Sequence, residues 1–504
     1  MSKKNVFLNM FANFLSFGIQ MLISFFLTPY IIRNVSSEAY GFISLANTFP
    51  AYASLVTAAL NAMASRFVSI EVHKKNIKKA SEYFSSVTLA NLILAVIILG
   101  FGSVFIANIE YFINVPIELL KDVKYLFVII FLNFTLSLCT NLFGIALFTE
   151  NKLYLGSLRA LEALVLKSVL IVVLFACFQP KIYFVALAAT VELVYNASWN
   201  FHYTKEFLPN MSVKRRYFSW QAIQELLTSG IWNVISRLGG ILNEGLDLLI
   251  CNLFVGAKEM GILAIAKTIP AMILTLINII ANAFSPDILK EYAIGTPKDV
   301  EKVVKQSMKM LGVLVSIPLG GLIGFGDVFF KLWVPSEDAF KLHILSILSI
   351  LLLAFTAASA TVYNIYTVTN NVKRNSLIVV IGGVVNTIIV FCTLKFTTLG
   401  IFAIAGVSSI VGILRDYSFS LPYAAKCLGI KWYTFYGPAL KTFLSVSAVA
   451  FICMIYRKIY FVDTWIGLII GAIICGVSGL LLNIMIVLDK RERKILFNRI
   501  KRNH

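Results

Sequence analysis

Arg237, Glu244 and Asp247 fall inside one apolar stretch of the chain, residues 224–254, at spacings of seven and then three. On an α-helix these spacings are about two turns and one turn, so an unbroken helix would carry all three on nearly one face. Lys267 stands in the next apolar stretch, residues 260–284. Returning through the same layer, it would reach about 10 Å depth, where Asp247 or Glu244 could meet it. An ionisable side chain at the centre of a bilayer costs about 2.5 to 3.5 kcal/mol even on permissive scales, so each needs a partner or a wet cavity. The available chemistry is an ion pair, a proton or cation relay through the carboxylates, or cationic contact with an anionic solute. Lys167 and Glu192, with Glu162 nearer the end of its stretch, form a second such group.

Two further residues complete the set. Arg66 ends an apolar stretch, where a guanidinium either anchors the helix or gives charge-assisted hydrogen bonds to a phosphate. Asn47 offers a neutral amide to a hydroxyl or to a neighbouring helix. Gly239, Gly240 and Gly245 lie among the charges and permit a bend, a close helix approach or plain packing. No carboxylates cluster as an acid–base pair in a polar loop, so the chain does not read as an enzyme. No GxxxxGK[ST] stretch is present, and coupling to ATP within the chain is unsupported.

The elements that position these groups follow from composition. Of 504 residues, 59% are hydrophobic and 14% charged, against roughly 25% charged in a soluble domain, and the mean hydropathy is +0.84. About 20 apolar residues cross a hydrocarbon core of about 30 Å. That rule places spans near 8–32, 41–65, 84–108, 123–148, 154–178, 182–203, 224–254, 260–284, 306–330, 341–366, 375–394, 398–421, 434–456 and 464–488. The expectation is an all-α integral membrane protein of about 14 transmembrane helices. The first stretch is too long for the apolar core of a signal peptide and reads as a span. Seven cysteines without CxxC spacing and four scattered histidines suggest neither a disulfide framework nor a metal centre, and no cofactor is expected.

The net charge of +19 would point to nucleic acid in a soluble protein, but here the charges divide by side of the membrane. Basic residues crowd the loops near 66–79, 205–216, 290–309, 373–374 and 426–431 and the tail 490–502, and are sparse in the alternate loops. This asymmetry puts both termini in the cytoplasm and makes a nucleic-acid partner unnecessary. Trp333 and Trp465 sit near expected outer ends of spans, and Trp199, Trp220 and Trp432 near inner ones, where an amphipathic ring prefers to lie. The lysine-bearing stretches 66–86 and 287–309 read either as helices on an anionic leaflet or as solvated loops. The outer loops are short, which leaves no room for an external catalytic domain.

An internal repeat is the most informative feature. At an offset of 220 residues, Val35–Ala51 aligns with Val255–Ala271 at six identities in 17 positions, including Gly41 with Gly261, Thr48 with Thr268 and Pro50 with Pro270. The same offset pairs Asn13 with Asn233, Ser16 with Ser236 and Ser65 with Ser285. Lobes that begin an even number of spans apart share one orientation. The expected organisation is a six-helix lobe over 1–210, a second over 211–423, and two added helices with a basic tail over 424–504.

The stretches Pro29–Arg33 with Glu38–Gly41, Asn61–Arg66, Ser229–Trp232 continuing to Asp247, and Gly261–Ala266 resemble the multidrug/oligosaccharidyl-lipid/polysaccharide (MOP) exporter superfamily, and within it the Wzx-like polysaccharide and O-antigen flippases. The resemblance covers nearly the whole chain and rests on order, spacing and repeat. It implies two six-helix bundles around a central cavity and alternating access. It also implies transfer of a polyprenyl-pyrophosphate-linked glycan to the outer leaflet of a bacterial inner membrane, beside membrane lipids and polysaccharide polymerase machinery. Asn61 departs from the glycine expected before the Arg66 position. The two added helices resemble the lipid II flippase branch, so helix number does not separate those substrates. A cation-coupled drug exporter, driven by H⁺ or Na⁺, is the other reading. Lys167, Arg237 and Lys267 favour an anionic solute, with Arg66 and Asn47 as further binding groups and Glu192, Glu244 and Asp247 as coupling or structural carboxylates.

Overall fold

The computed structural model describes residues 3–487, and every element among them is helical. Fourteen long helices stand where the fourteen apolar stretches lie. They are α1 (Lys3–Val35), α2 (Ser37–His73), α3 (Ile77–Ala107), α4 (Ile117–Thr149), α5 (Leu153–Cys177), α6 (Tyr183–Phe207) and α7, which runs as Trp220–Gly240, Ile241–Gly245 and Asp247–Phe254. The rest are α8 (Ala257–Ile294), α9 (Pro297–Trp333), α10 (Ala339–Val368), α11 (Val372–Phe396), α12 (Ile401–Cys427), α13 (Tyr436–Ile459) and α14 (Trp465–Val487). Twelve are long and apolar enough to cross a bilayer, among the described residues. The other two, α6 and α7, carry Glu192, His202, Lys205 and Glu206, and Gln221, Gln224, Glu225 and Arg237, which lower their apolarity. The basic tail 490–502 lies outside the described residues.

Two sequence expectations change. The stretches 66–86 and 287–309 are neither surface helices nor loops but extensions of spanning helices: α2 continues to His73 and α9 begins at Pro297. At about 1.5 Å per residue, the 37 residues of α9 measure about 55 Å, well beyond a hydrocarbon core. The buried Ile288, Val300, Val304 and Met308 hold the α8 and α9 extensions in one apolar cluster with Tyr366, Leu421 and Phe435. Trp333 is 2% exposed, against Phe329 and Phe330, so it packs inward where an interfacial position was expected.

The chain divides into two compact units, Met1–Ile241 with Leu248–Ala264, and Leu242–Asp247 with Ile265–His504. In the first, α2 breaks at Asn47 and Thr48, and Pro50 reopens it in its first turn, where a missing N–H costs nothing. Gly230 of α7 lies against the α2 backbone; a Cβ there would fall 2.6 Å from the Ala59 carbonyl oxygen. Asn61 accepts a 2.9 Å hydrogen bond from Asn91 Nδ2 of α3, so the residue that departs from glycine ties two helices.

In the second unit, α13 and α14 are knit to α9. Gly312, Gly320 and Gly324 form a face that receives Thr442, Val449 and Cys453 of α13, and a Cβ at Gly320 would fall 2.6 Å from Val449 Cβ. Asp327 takes both guanidinium nitrogens of Arg457 at 2.6 and 2.8 Å. Asn483 of α14 donates to Ser316 at 2.7 Å.

Candidate functional site

In the first unit the break of α2 delivers Asn47 into a cavity of about 350 Å³, shared with Asn133 and Ser137 of α4, Lys167 of α5, and Glu192 and Asn196 of α6. Lys167 Nζ lies 2.8 Å from Glu192 Oε2, with each side chain about a quarter exposed. Asn47 Nδ2 donates to the Ile43 carbonyl at 2.9 Å, and Asn133 Nδ2 to the Ala186 carbonyl at 3.1 Å. Each amide thereby gives one N–H to a backbone carbonyl and retains its carbonyl oxygen as an acceptor. Amides and a balanced ion pair make a lining that can exchange hydrogen bonds with hydroxyls without strongly favouring either charge.

Further along α5 and α6, Arg159 holds Glu162 at 2.8 and 2.6 Å, and Tyr195 donates to the same carboxylate. The Arg159 guanidinium stacks 3.8 Å above the Trp199 ring. By charge and position alone Arg159 counts as one more basic residue on the inner side. The signal for its role was local: Glu162 follows three residues on, and Tyr195, Trp199 and Tyr203 recur at intervals of four on α6.

The second unit holds the other charges. Residues Ile241–Gly245 form a π-helical turn, which frees backbone carbonyls from the usual ladder. Asn386 Nδ2 takes the Asn243 carbonyl at 3.0 Å, and Thr387 Oγ1 the Leu242 carbonyl at 3.3 Å, both from α11. The turn thus sits among the glycines that the sequence marks as bend-permitting, and its polar groups are met by side chains. Immediately after it, the Asp247 carboxylate is buried and pairs with Lys267 of α8; Ser408 of α12 points its hydroxyl at the other oxygen, 3.5 Å away. Asn386 also donates to Ser408 at 3.2 Å, which links the turn to the pair.

Glu244 is exposed and forms no hydrogen bond or ion pair among the described residues, and it lines two cavities. One, of about 220 Å³, contains Asp247, Lys267, Ser349 and Ser408. The other, of about 430 Å³, contains Asn278, Asn282, Tyr363, Arg415 and Asp416. Asp416 opens a second π-helical turn, Asp416–Ser420, and accepts hydrogen bonds from Tyr363 at 2.8 Å, Ser420 at 3.1 Å and Arg415 at 3.3 Å. Sequence reading missed this cluster, because Arg415 near a span end looks like a positive-inside anchor. The adjacent acidic residue inside an apolar stretch was the available signal.

Lys167 and Lys267 are therefore each matched by a carboxylate, Glu192 and Asp247. Arg66 and Arg237 are exposed and, among the described residues, form neither hydrogen bonds nor ion pairs. Both arginines belong to the first unit, while Glu244 belongs to the second.

The family described as "Polysaccharide biosynthesis protein" matches residues 3–291. The "Uncharacterized membrane protein EpsK" of Bacillus subtilis (strain 168) is 27% identical over 503 residues, covering 98% of each chain. Among solved structures, "Lipid II flippase MurJ, inward closed conformation" superposes with a TM-score of 0.69 at 16% identity, covering 95% of this chain and 98% of that one. An inward-facing "multidrug resistance MATE family transporter of the MOP superfamily" gives 0.67 at 14% identity, covering 81% and 94%. At those identities the likeness establishes the fold, and it is the fold of the exporter superfamily that the motifs resemble.

Proposed function

The chain belongs to the polysaccharide biosynthesis protein family, and from that premise we propose that it carries a polyprenyl-pyrophosphate-linked oligosaccharide from the cytoplasmic to the outer leaflet of the plasma membrane. It is a multi-pass membrane protein of a transporter fold, not an enzyme. The observation that carries the substrate class is the first-unit cavity, where Asn47, Asn133, Asn196 and Ser137 surround a neutralised Lys167–Glu192 pair. A glycan presents many hydroxyls and little charge, which suits amides better than it suits an apolar or acidic drug pocket.

Transport needs a polar path for the sugars, because sugar hydroxyls and a pyrophosphate cannot shed water into hydrocarbon. The prenyl tail has no such need and stays in lipid. Arg66 and Arg237, without partners of their own, are the groups that would meet the pyrophosphate through charge-assisted hydrogen bonds. The moving parts we assign are the two repeat lobes, residues 1–210 and 211–423, exposing their polar faces alternately to the two sides. Both termini are assigned to the cytoplasm from the lysine and arginine asymmetry.

Glu244 favours a second reading, a cation-coupled exporter of organic cations, since an exposed unpaired carboxylate in a span can take a proton, a metal cation or a cationic drug. For the flippase the same residue would be the site where H⁺ or Na⁺ couples. Vesicles holding purified protein, with lipid-linked glycan loaded on one face, separate the two. The flippase reading expects the glycan to become accessible to an impermeant glycosidase on the other face. Failure to expose any native glycan lipid, with export of organic cations under an H⁺ or Na⁺ gradient, would establish the exporter instead.

A further inference from the structure

Residues 208–219 join α6 to α7, and with them the two repeats, and they are held at one depth along α3. Ser85 Oγ of α3 donates to the Ser212 carbonyl at 3.1 Å and accepts the Lys214 N–H at 3.2 Å. Ser86 Oγ accepts the Ser219 N–H at 2.9 Å and donates to the Tyr217 carbonyl at 3.5 Å. Both serines are buried, and between the two anchors the chain makes a short 3₁₀ turn, Arg215–Tyr217. Anchoring through the backbone fixes the segment and leaves its side chains available.

Its depth follows from α3. That helix begins at Ile77, and Ser85 stands eight residues on, about 12 Å along the axis. The apolar stretch of the span starts at 84, so the segment lies beside the beginning of the hydrocarbon-matched run rather than in water beyond the helix end. What it exposes suits that level. Lys214, Arg215 and Arg216 are exposed, and so are Val213, Phe218 and Trp220, the last at 61%. Among the described residues the side chains of Lys214 and Arg215 form no hydrogen bond or ion pair. Arg216 meets only the neutral Tyr217, its hydroxyl at 3.3 Å and its ring at 5.0 Å. Glu225, on the second turn of α7, is engaged by the Tyr83 hydroxyl at 2.6 Å.

Basic residues interleaved with exposed Phe and Trp at the start of a span are what a headgroup layer receives: cations at the phosphates, rings at the acyl boundary. Charge complementarity selects the anionic lipids of the leaflet that the lysine asymmetry assigns to the cytoplasm. We propose that this segment is a docking surface for anionic phospholipid, with Lys214, Arg215 and Arg216 on the headgroup phosphates and Phe218 and Trp220 in the acyl boundary. The surface is separate from the glycan cavity and stands whether or not the flippase reading does.

The test uses the purified full-length chain in neutral detergent, titrated with phosphatidylglycerol or phosphatidylcholine, with retained lipid counted by native mass spectrometry. Preferential retention of phosphatidylglycerol is expected. The Lys214→Gln/Arg215→Gln double variant should reduce that retention roughly ten-fold or more, since one basic residue near an anionic surface contributes about five-fold. An equal charge loss at two exposed lysines around the start of α3, Lys75→Gln/Lys78→Gln, should leave it unchanged. In vesicles of phosphatidylglycerol brominated on its acyl chains, tryptophan fluorescence of the parent should be quenched more than that of Trp220→Phe. Equal retention of the two lipids, equal loss in the two double variants, or quenching that Trp220→Phe does not change overturns the proposal.

Discussion

Gly41 and Gly261, the same position in the two copies of the 220-residue repeat, meet backbone to backbone: a Cβ on Gly41 would fall 2.7 Å from Gly261 Cα. A Cβ on Gly261 would in turn strike the Ser37 carbonyl, and neither clash can be relieved by turning a side chain. Both glycines belong to the first unit, and the missing Cβ at each lets the two helices approach to backbone contact. Gly41→Leu should cost about 1 to 3 kcal/mol of overpacking, read as a lower detergent melting temperature and reduced membrane yield. Gly18, with open space around it, gives the control: Gly18→Leu should be tolerated.

The Lys267–Asp247 pair makes a second case. Lys267→Ala leaves the carboxylate buried without its counter-charge, a loss of about 3 to 5 kcal/mol. The swapped double variant Asp247→Lys/Lys267→Asp should recover yield and melting temperature relative to either single change. Strict additivity of the two single effects would show that the ion pair contributes nothing to stability.

For Arg237 the readout is transport at matched protein levels. Arg237→Ala should abolish glycan exposure while the melting temperature stays within about 0.5 kcal/mol equivalent of the parent, because the guanidinium has no partner among the described residues to lose. Arg237→Lys should be partly active, the bidentate fork being gone while the charge remains. A variant that transports normally as Ala removes Arg237 from the proposed path.

Asp327 and Arg457 bind α13 to α9 by two short hydrogen bonds, each side chain about one-third exposed. Arg457→Ala should therefore loosen the added pair of helices and speed proteolysis near Tyr460, with a smaller effect on the melting temperature than Lys267→Ala. Equal sensitivity of the two variants would show that the α9–α13 contact depends on this pair more than on its glycine face.

Topology is checked by single cysteines in a cysteine-free background. Residues placed in 210–216 should be shielded from an impermeant thiol reagent in intact cells, and residues placed near Pro335 and Val462 should react. Labelling at 210–216 would invert the assigned orientation.

What could be read from the chain without coordinates was governed by range. The helices were legible because crossing hydrocarbon demands a continuous apolar run, and α6 and α7 could be placed by length and flanks although they fall short of the apolarity of the other twelve. The Lys267–Asp247 pair was legible because depth along two antiparallel spans limits which charges can meet. Arg415 with Asp416, and Arg159 over Trp199, were not, since loop charges and span charges look alike near a boundary. Asn61 was legible only as a departure; its partner Asn91 depends on the α2–α3 packing, which no spacing announces. Neither π-helical turn could be seen, because each is a shift of one residue in hydrogen bonding with no fixed composition.

That single-residue shift in α7 has an evolutionary edge. A π-turn takes up one extra residue within the helix, so deleting any one position from 241–245 would restore the ordinary i→i+4 ladder. It would also strand Asn386 and Thr387, whose side chains fit only the displaced carbonyls. The length of this turn is therefore under tighter constraint than the identity of most residues in it, and insertions or deletions here should be rarer among descendants of this chain than substitutions.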